Sequence, residues 1–238
     1  VHPYLFHFGQ IFLPTFGVLA AVGLVAALVL GEKTAALAGV GPEALWDAGL
    51  FAVLAAFVLS RLLLLGSYWR SFVAFPLLIL AVPSLTAAGL LLTAAATLAW
   101  LWWKNIPILR ALDAWAPCAT LVWFFLALGH FAEGSDPGLP TTLPFGVRMP
   151  GEATPLHPVA LYAAVVAGIL TVLLYMRLRR ALRAGETAGV ALSAVGLAQF
   201  LLSFVRQPGQ QLQGLDMLQW VALAMLVVGG SLLAMREK

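Results

Sequence analysis

With 238 residues, 62% of them hydrophobic and only 10% charged, and a mean hydropathy of +0.98, this chain falls outside the ordinary soluble class, in which about one residue in four is charged. Its formal net charge of +3 comes mainly from bases in short stretches between apolar runs, which reads as membrane topology and not as a nucleic-acid surface. The single cysteine, Cys118, sits inside an apolar run, so the sequence offers no intramolecular disulfide and no cysteine-rich metal site.

Inside a bilayer only helices and closed barrels satisfy the backbone. Runs such as LFAVLAAFVLS and VALAMLVVGG lack the alternation a barrel strand needs, so the expected fold is an all-α polytopic membrane helical bundle forming a single domain over residues 1–238. Residues 1–10, VHPYLFHFGQ, mix two histidines with three aromatics and read as an interfacial anchor. Seven spans are expected at 11–30, 45–65, 84–103, 111–129, 158–176, 188–205 and 215–234, with the first retained and not cleaved as a signal peptide. The apolar piece from Ser71 to Val82, just before Pro83, is too short to span and reads as a re-entrant or interfacial segment or a kinked extension of the third span.

Lys33, Lys104, Arg110, Arg177, Arg179, Arg180, Arg183, Arg236 and Lys238 fall on one side of these spans, against Arg70, Arg148 and Arg206 on the other. The positive-inside rule makes the first side cytoplasmic, with the N-terminus outside and the C-terminus in the cytoplasm. All four histidines then lie at the outer face, together with a loop segment at about 130–157.

That loop region is where chemistry is expected. From His130 to Tyr162 the chain gathers two histidines, three acidic residues, one arginine and six prolines. His130 and Glu133 stand at i, i+3 after the fourth span, close enough to pair as a general base or, with too few companions, as part of a metal site; no metal and no organic cofactor is expected. His157 and Pro158 read as the entry to the fifth span, with Tyr162 about a turn further on. Arg61, among leucines of the second span, is a candidate for holding an anionic head group or a side chain that snorkels to the interface. Gln199, Ser203 and Arg206 share one helical face at i, i+4, i+7, either as a polar seam between helices or, for Arg206 beside Pro208, as an anion site.

At these residues the chain resembles the prolipoprotein diacylglyceryl transferase family nearly end to end. LDAWAP at 112–117, GLPTTLPFGV at 138–147, HPVALY at 157–162, FVRQPG at 204–209 and LDMLQWVALAMLVVGG at 215–230 occur in the family's order, and Arg61 matches an arginine of its second helix. The resemblance implies transfer of the diacylglyceryl part of phosphatidylglycerol to the cysteine thiol of a lipoprotein precursor at the outer leaflet. His130, Glu133 and His157 would then be the catalytic candidates, and Arg61, Arg206, Tyr162 and Gln199 the substrate-binding ones. The nucleophile belongs to the substrate, so Cys118 need not react.

The chain departs from the family pattern at polar positions. In ALGHFAEGS, Ala127 stands at an arginine and His130 at an asparagine; SLTAAG at 84–89 replaces a His-Gly-Gly; Val195, Gln199 and Ser203 replace tyrosine, arginine and glutamate; Ala163 replaces a glutamate and Phe16 a tyrosine. Two further readings therefore stand beside a divergent transferase: a non-catalytic relative that binds lipid, and a structural subunit joined to partner membrane proteins.

Overall fold

The structure is a computed structural model and describes residues 4–8, 11–74, 87–148, 154–180, 183–209, 211–212 and 214–234. A hairpin of β1 (Tyr4–Phe8) and β2 (Ile11–Pro14) leads into α1 (Thr15–Ala38), α2 (Pro42–Ser67) and the short α3 (Trp69–Ala74). Then come α4 (Ala87–Trp103), α5 (Ile108–Glu133), α6 (Val159–Leu178) and α7 (Glu186–Ser203). A small hairpin, β3 (Gln211–Leu212) and β4 (Leu215–Asp216), precedes α8 (Met217–Ala234). Among the described residues six helices are long and apolar enough to cross a membrane, and the apolar α4, with 17 residues, is the seventh expected span. The all-α membrane bundle is thereby established.

The helix ends differ from the hydropathy spans most clearly in α1. The strand Ile11–Pro14 replaces the expected first turn, and the helix runs on to Ala38 instead of stopping near residue 30. Hydropathy marks where the chain leaves apolar surroundings, not where the hydrogen-bond ladder ends. Glu32 and Lys33 face outward while Thr34 and Ala35 are buried, so the last turns remain amphipathic helix and Lys33 is helical, not a loop residue. The stop is Gly39, whose φ of 71° lets its N–H turn back to the Ala35 and Ala36 carbonyls. Of the piece from Ser71 to Val82, residues up to Ala74 belong to α3; the rest, with Pro83, lies outside the described residues.

α5 is the central helix, packed against α1, α6 and α7, whereas α2 packs on α1 and α4 and α8 on α7. Since hydrocarbon tails are as apolar as leucine, small residues that let backbones approach supply most of the interhelical packing. Gly23 lies under Phe125, where an added Cβ would stand 2.6 Å from the Phe125 Cβ, and Gly129 lies under Phe16, at 2.8 Å from its ring. α7 and α8 use the same device. A Cβ on Gly196 would sit 2.8 Å from the Ala222 carbonyl oxygen, and one on Gly229 2.5 Å from Ser193 Oγ.

Polar pins fix the register. The Asp113 carboxylate, 4% exposed, accepts hydrogen bonds from the Gly185 N–H at 2.6 Å and the Ala188 N–H at 2.8 Å, capping the start of α7 from a different helix. Arg177 on α6 pairs with Glu186 beside it. The Thr171 hydroxyl of α6 donates to Thr120 Oγ1 of α5 at 3.0 Å, and Gln219 Nε2 of α8 donates to Ser203 Oγ of α7, also at 3.0 Å. The start of α1, the end of α5, the start of α6 and the end of α7 thus gather at one end of the bundle.

The loop after α5 is laced onto this end. The Leu139 N–H donates to the Val205 carbonyl at 2.8 Å, and the His157 N–H to the Leu139 carbonyl at 3.0 Å. Val147 and Leu156 exchange backbone hydrogen bonds at 3.0 and 2.9 Å. Gly138 makes this possible, because a Cβ there would stand 2.3 Å from the His157 carbonyl oxygen.

Candidate active site

A cavity of about 350 Å³ opens where these elements meet, lined on the α5 side by Trp123, Ala127 and His130 and completed by Ala160 and Ala163 of α6, Gln199 of α7, and Ser135, Asp136 and Arg206 from the flanking loops. Its position follows from local folding. α5 ends at Gly134, in the left-handed region at φ 74°, which turns the chain so that Ser135 and Asp136 come back over the helix end. Arg206 follows the end of α7 and is held by the bridge between its strand-like segment and Gly138.

Three residues selected from the sequence come together here. His130 Nδ1 lies 2.8 Å from Ser135 Oγ, and its ring stands against Phe16 with centroids 4.8 Å apart. Arg206 Nη2 donates to Asp136 Oδ2 at 2.8 Å, with both side chains largely buried. Gln199 Oε1 and Arg206 Nε are buried and have no hydrogen-bond partner among the described residues. Leaving such groups unpaired costs about 1–3 kcal/mol each.

The remaining candidates lie outside this lining. Glu133 is exposed at the last turn of α5, and among the described residues His130 meets Ser135 instead of it. His157 Nδ1 stands 3.3 Å from the Tyr162 hydroxyl, and Tyr162 packs edge-on to Phe145 of the loop, so these two form a neighbouring cluster. Arg61 is half-buried on α2, which packs on α1 and α4 and not on the cavity helices. Among the described residues no group of three or more His, Cys, Asp or Glu side chains is arranged to hold a metal.

Sequence reasoning missed Asp136 and Ser135. Asp136 is one of several polar residues in a proline-rich loop, and its partner lies 70 residues away, so nothing in local spacing marks it. Ser135 follows a glycine stop, and its contact with His130 depends on the turn that Gly134 makes.

Comparison with known proteins bears on the same frame. The family model described as prolipoprotein diacylglyceryl transferase matches residues 3–235. A phosphatidylglycerol–prolipoprotein diacylglyceryl transferase of Idiomarina loihiensis is 31% identical over 141 residues, which is 57% of this chain and 53% of that protein. One from Cupriavidus metallidurans is 36% identical over 109 residues, covering 43% and 40% respectively, and one from Zymomonas mobilis is 32% identical over 143 residues, covering 54% and 50%. The matched region spans about half the length of these relatives. Six apolar spanning helices and bacterial relatives of this kind make the protein an integral inner-membrane protein. Because the family match runs through every described element from β1 to α8, and not only through the loop and the helix ends around the cavity, the chain belongs to the prolipoprotein diacylglyceryl transferase family.

Proposed function

We propose that this protein is a divergent diacylglyceryl transferase that takes phosphatidylglycerol as donor and the cysteine thiol of a lipoprotein precursor as acceptor, with the His130 cavity as its head-group site at the outer face of the membrane. The observation that carries the reading is one cavity whose lining brings together the imidazole of His130, the amide of Gln199 and the guanidinium of Arg206. A glycerol phosphate head group offers a phosphate oxygen to the Arg206 guanidinium and a hydroxyl to the Gln199 amide.

In this reading the acceptor sulfur forms a bond to the glyceryl carbon of the donor while the bond from that carbon to the phosphate oxygen breaks. The electron pair leaves with glycerol phosphate, and the thiol proton passes to a base. His130 is the side chain in the cavity suited to take that proton, since Ser135 beside Nδ1 fixes the ring and leaves the other nitrogen for the substrate. Arg206 stabilises the charge that builds on the leaving phosphate. His157 and Tyr162 hold the entry of α6 beside the cavity, Glu133 tunes the approach to His130, and Arg61 engages the lipid elsewhere on the bundle.

A second reading is a lipid-binding relative without catalysis, or a subunit of a larger membrane assembly. What favours it is the clustering of the departures from the family pattern. Ala127, Ala163 and Gln199, which stand where the resemblance places an arginine, a glutamate and another arginine, all line this one cavity, and the charge of Arg206 is matched by Asp136. The two readings separate on turnover. Transfer from labelled phosphatidylglycerol to a lipobox peptide that falls by 10²-fold or more in His130→Ala supports the transferase; retention of phosphatidylglycerol without transfer supports the binder, and co-purification of a stoichiometric partner supports the subunit.

A further inference from the structure

At the end of the bundle opposite the His130 cavity, the loop from α4 to α5 and the loop from α6 to α7 enclose two adjoining cavities that share Arg110 and Ala184. One, of about 390 Å³, is lined by Ala36 to Gly39 of α1, Arg110, Asp113, Leu178, Arg183 and Thr187. The other, of about 480 Å³, is largely apolar and is lined by Trp102, Ile106, Pro107, Ile108 and Leu109 beside Arg110.

Three features mark the first cavity as more than a topological cluster of bases. Arg110 stands in the first turn of α5 and Arg183 just before α7, and neither is in an ion pair among the described residues. The acidic groups that face them are already engaged: Asp113 accepts from the first amides of α7, and Glu186 is paired with Arg177. Thr187, 1% exposed, is among the residues that line the cavity, and its buried hydroxyl oxygen has no partner among the described residues.

We propose that this end of the bundle binds the phosphate head group of an anionic phospholipid, with Arg110 and Arg183 on the phosphate oxygens, Thr187 as a hydroxyl donor beneath them, and the adjoining cavity at Trp102, Ile106 and Leu109 taking the start of the acyl chains. Guanidinium groups match phosphate oxygens in geometry as well as charge. Basic recesses between spanning helices are suited to such head groups, and the apolar neighbour distinguishes a lipid from a free phosphate. The site is separate from the His130 cavity and does not depend on the transferase reading.

The test is native mass spectrometry of the full chain in detergent, titrated with phosphatidylserine, with phosphatidylcholine and with inorganic phosphate. The wild type is expected to hold phosphatidylserine in preference to phosphatidylcholine. The Arg110→Gln/Arg183→Gln variant should bind it about tenfold or more weakly, and Thr187→Val should weaken it in the same direction. Arg70→Gln, an exposed arginine on α3 that lines none of the cavities, should leave this binding unchanged. Both arginines are exposed, so their replacement is not expected to unfold the chain, and an unchanged thermal midpoint verifies this. Equal binding of phosphatidylcholine, equal binding by the double variant, or a loss in Arg70→Gln matching that of the double variant would overturn the proposal. Displacement of phosphatidylserine by inorganic phosphate at equal concentration would overturn the lipid assignment in favour of a soluble phosphate.

Discussion

Arg206, three residues beyond α7, reaches back to Asp136, three residues beyond α5, and their 2.8 Å ion pair ties the ends of two helices together over the candidate site. Among the described residues Arg206 Nε has no partner, so the arginine is held in place through Nη2 alone.

Asp136→Asn is expected to have two opposite effects. Stability should fall by about 1–2 kcal/mol, because a largely buried charge-assisted hydrogen bond is weakened. Affinity for phosphatidylglycerol should rise, because the guanidinium no longer shares its charge with a carboxylate. Thermal unfolding and lipid binding, measured on the same preparation, check both; weaker lipid binding would mean that Asp136 serves the ligand directly.

Asp113 is the more demanding structural pin. It caps α7 through two backbone N–H groups, and removing it leaves those donors buried at a positive helix end. Asp113→Ala should cost about 2–4 kcal/mol, with Asp113→Asn less damaging because it keeps an acceptor. Denaturation in mild detergent, followed by circular dichroism, reads the difference. Equal stability of the alanine variant would show that α7 is held by packing alone.

Two glycines mark where backbones cannot be moved apart. At Gly138 an added methyl meets the His157 carbonyl oxygen at 2.3 Å, and at Gly229 it meets Ser193 Oγ at 2.5 Å. Gly229→Ala should lower stability by about 1–3 kcal/mol while sparing the loop, and Gly138→Ala should detach the loop and weaken lipid binding more than it lowers the unfolding midpoint. A protease-sensitivity map of the loop separates these outcomes.

Cys118 is buried in α5, 5% exposed, with its Sγ 3.6 Å from Thr34 Oγ1, far from the cavity lining. Cys118→Ala should leave transfer unchanged, and thiol reagents should label the folded chain slowly. Loss of transfer in this variant would contradict the assignment of the nucleophile to the substrate.

The helices were legible in the sequence because hydrocarbon imposes long uncharged runs. From the second span onward, the described helix ends lie within four residues of the hydropathy spans. The hairpin before α1 and the last turns of α1 were not legible, since aromatic and β-branched residues before Pro14 look like any apolar start, and Glu32 and Lys33 look like a loop until Thr34 and Ala35 are seen to be buried. At the site, Gln199 and His130 stand on the helices that spacing assigns them, whereas Arg206 lies beyond the end of α7, so the expected helical stripe stops at Ser203. The pairing of His130 with Ser135 and of Arg206 with Asp136 could not be read from spacing, because each depends on how the loop after Gly134 folds back. Arg61 shows the opposite limit. A charge in an apolar span signals a constraint, but spacing alone does not say which helices it will face.

In the proposed reading the His130 cavity performs diacylglyceryl transfer in spite of its altered polar residues. The most direct measurement is transfer of labelled diacylglyceryl from phosphatidylglycerol to a lipobox peptide by the purified chain in lipid, with an established family enzyme as control. Transfer above background is expected, with glycerol phosphate released in equal amount, and its loss in His130→Ala and Arg206→Ala variants that remain folded. A folded wild-type chain that binds phosphatidylglycerol but releases no glycerol phosphate would contradict the claim.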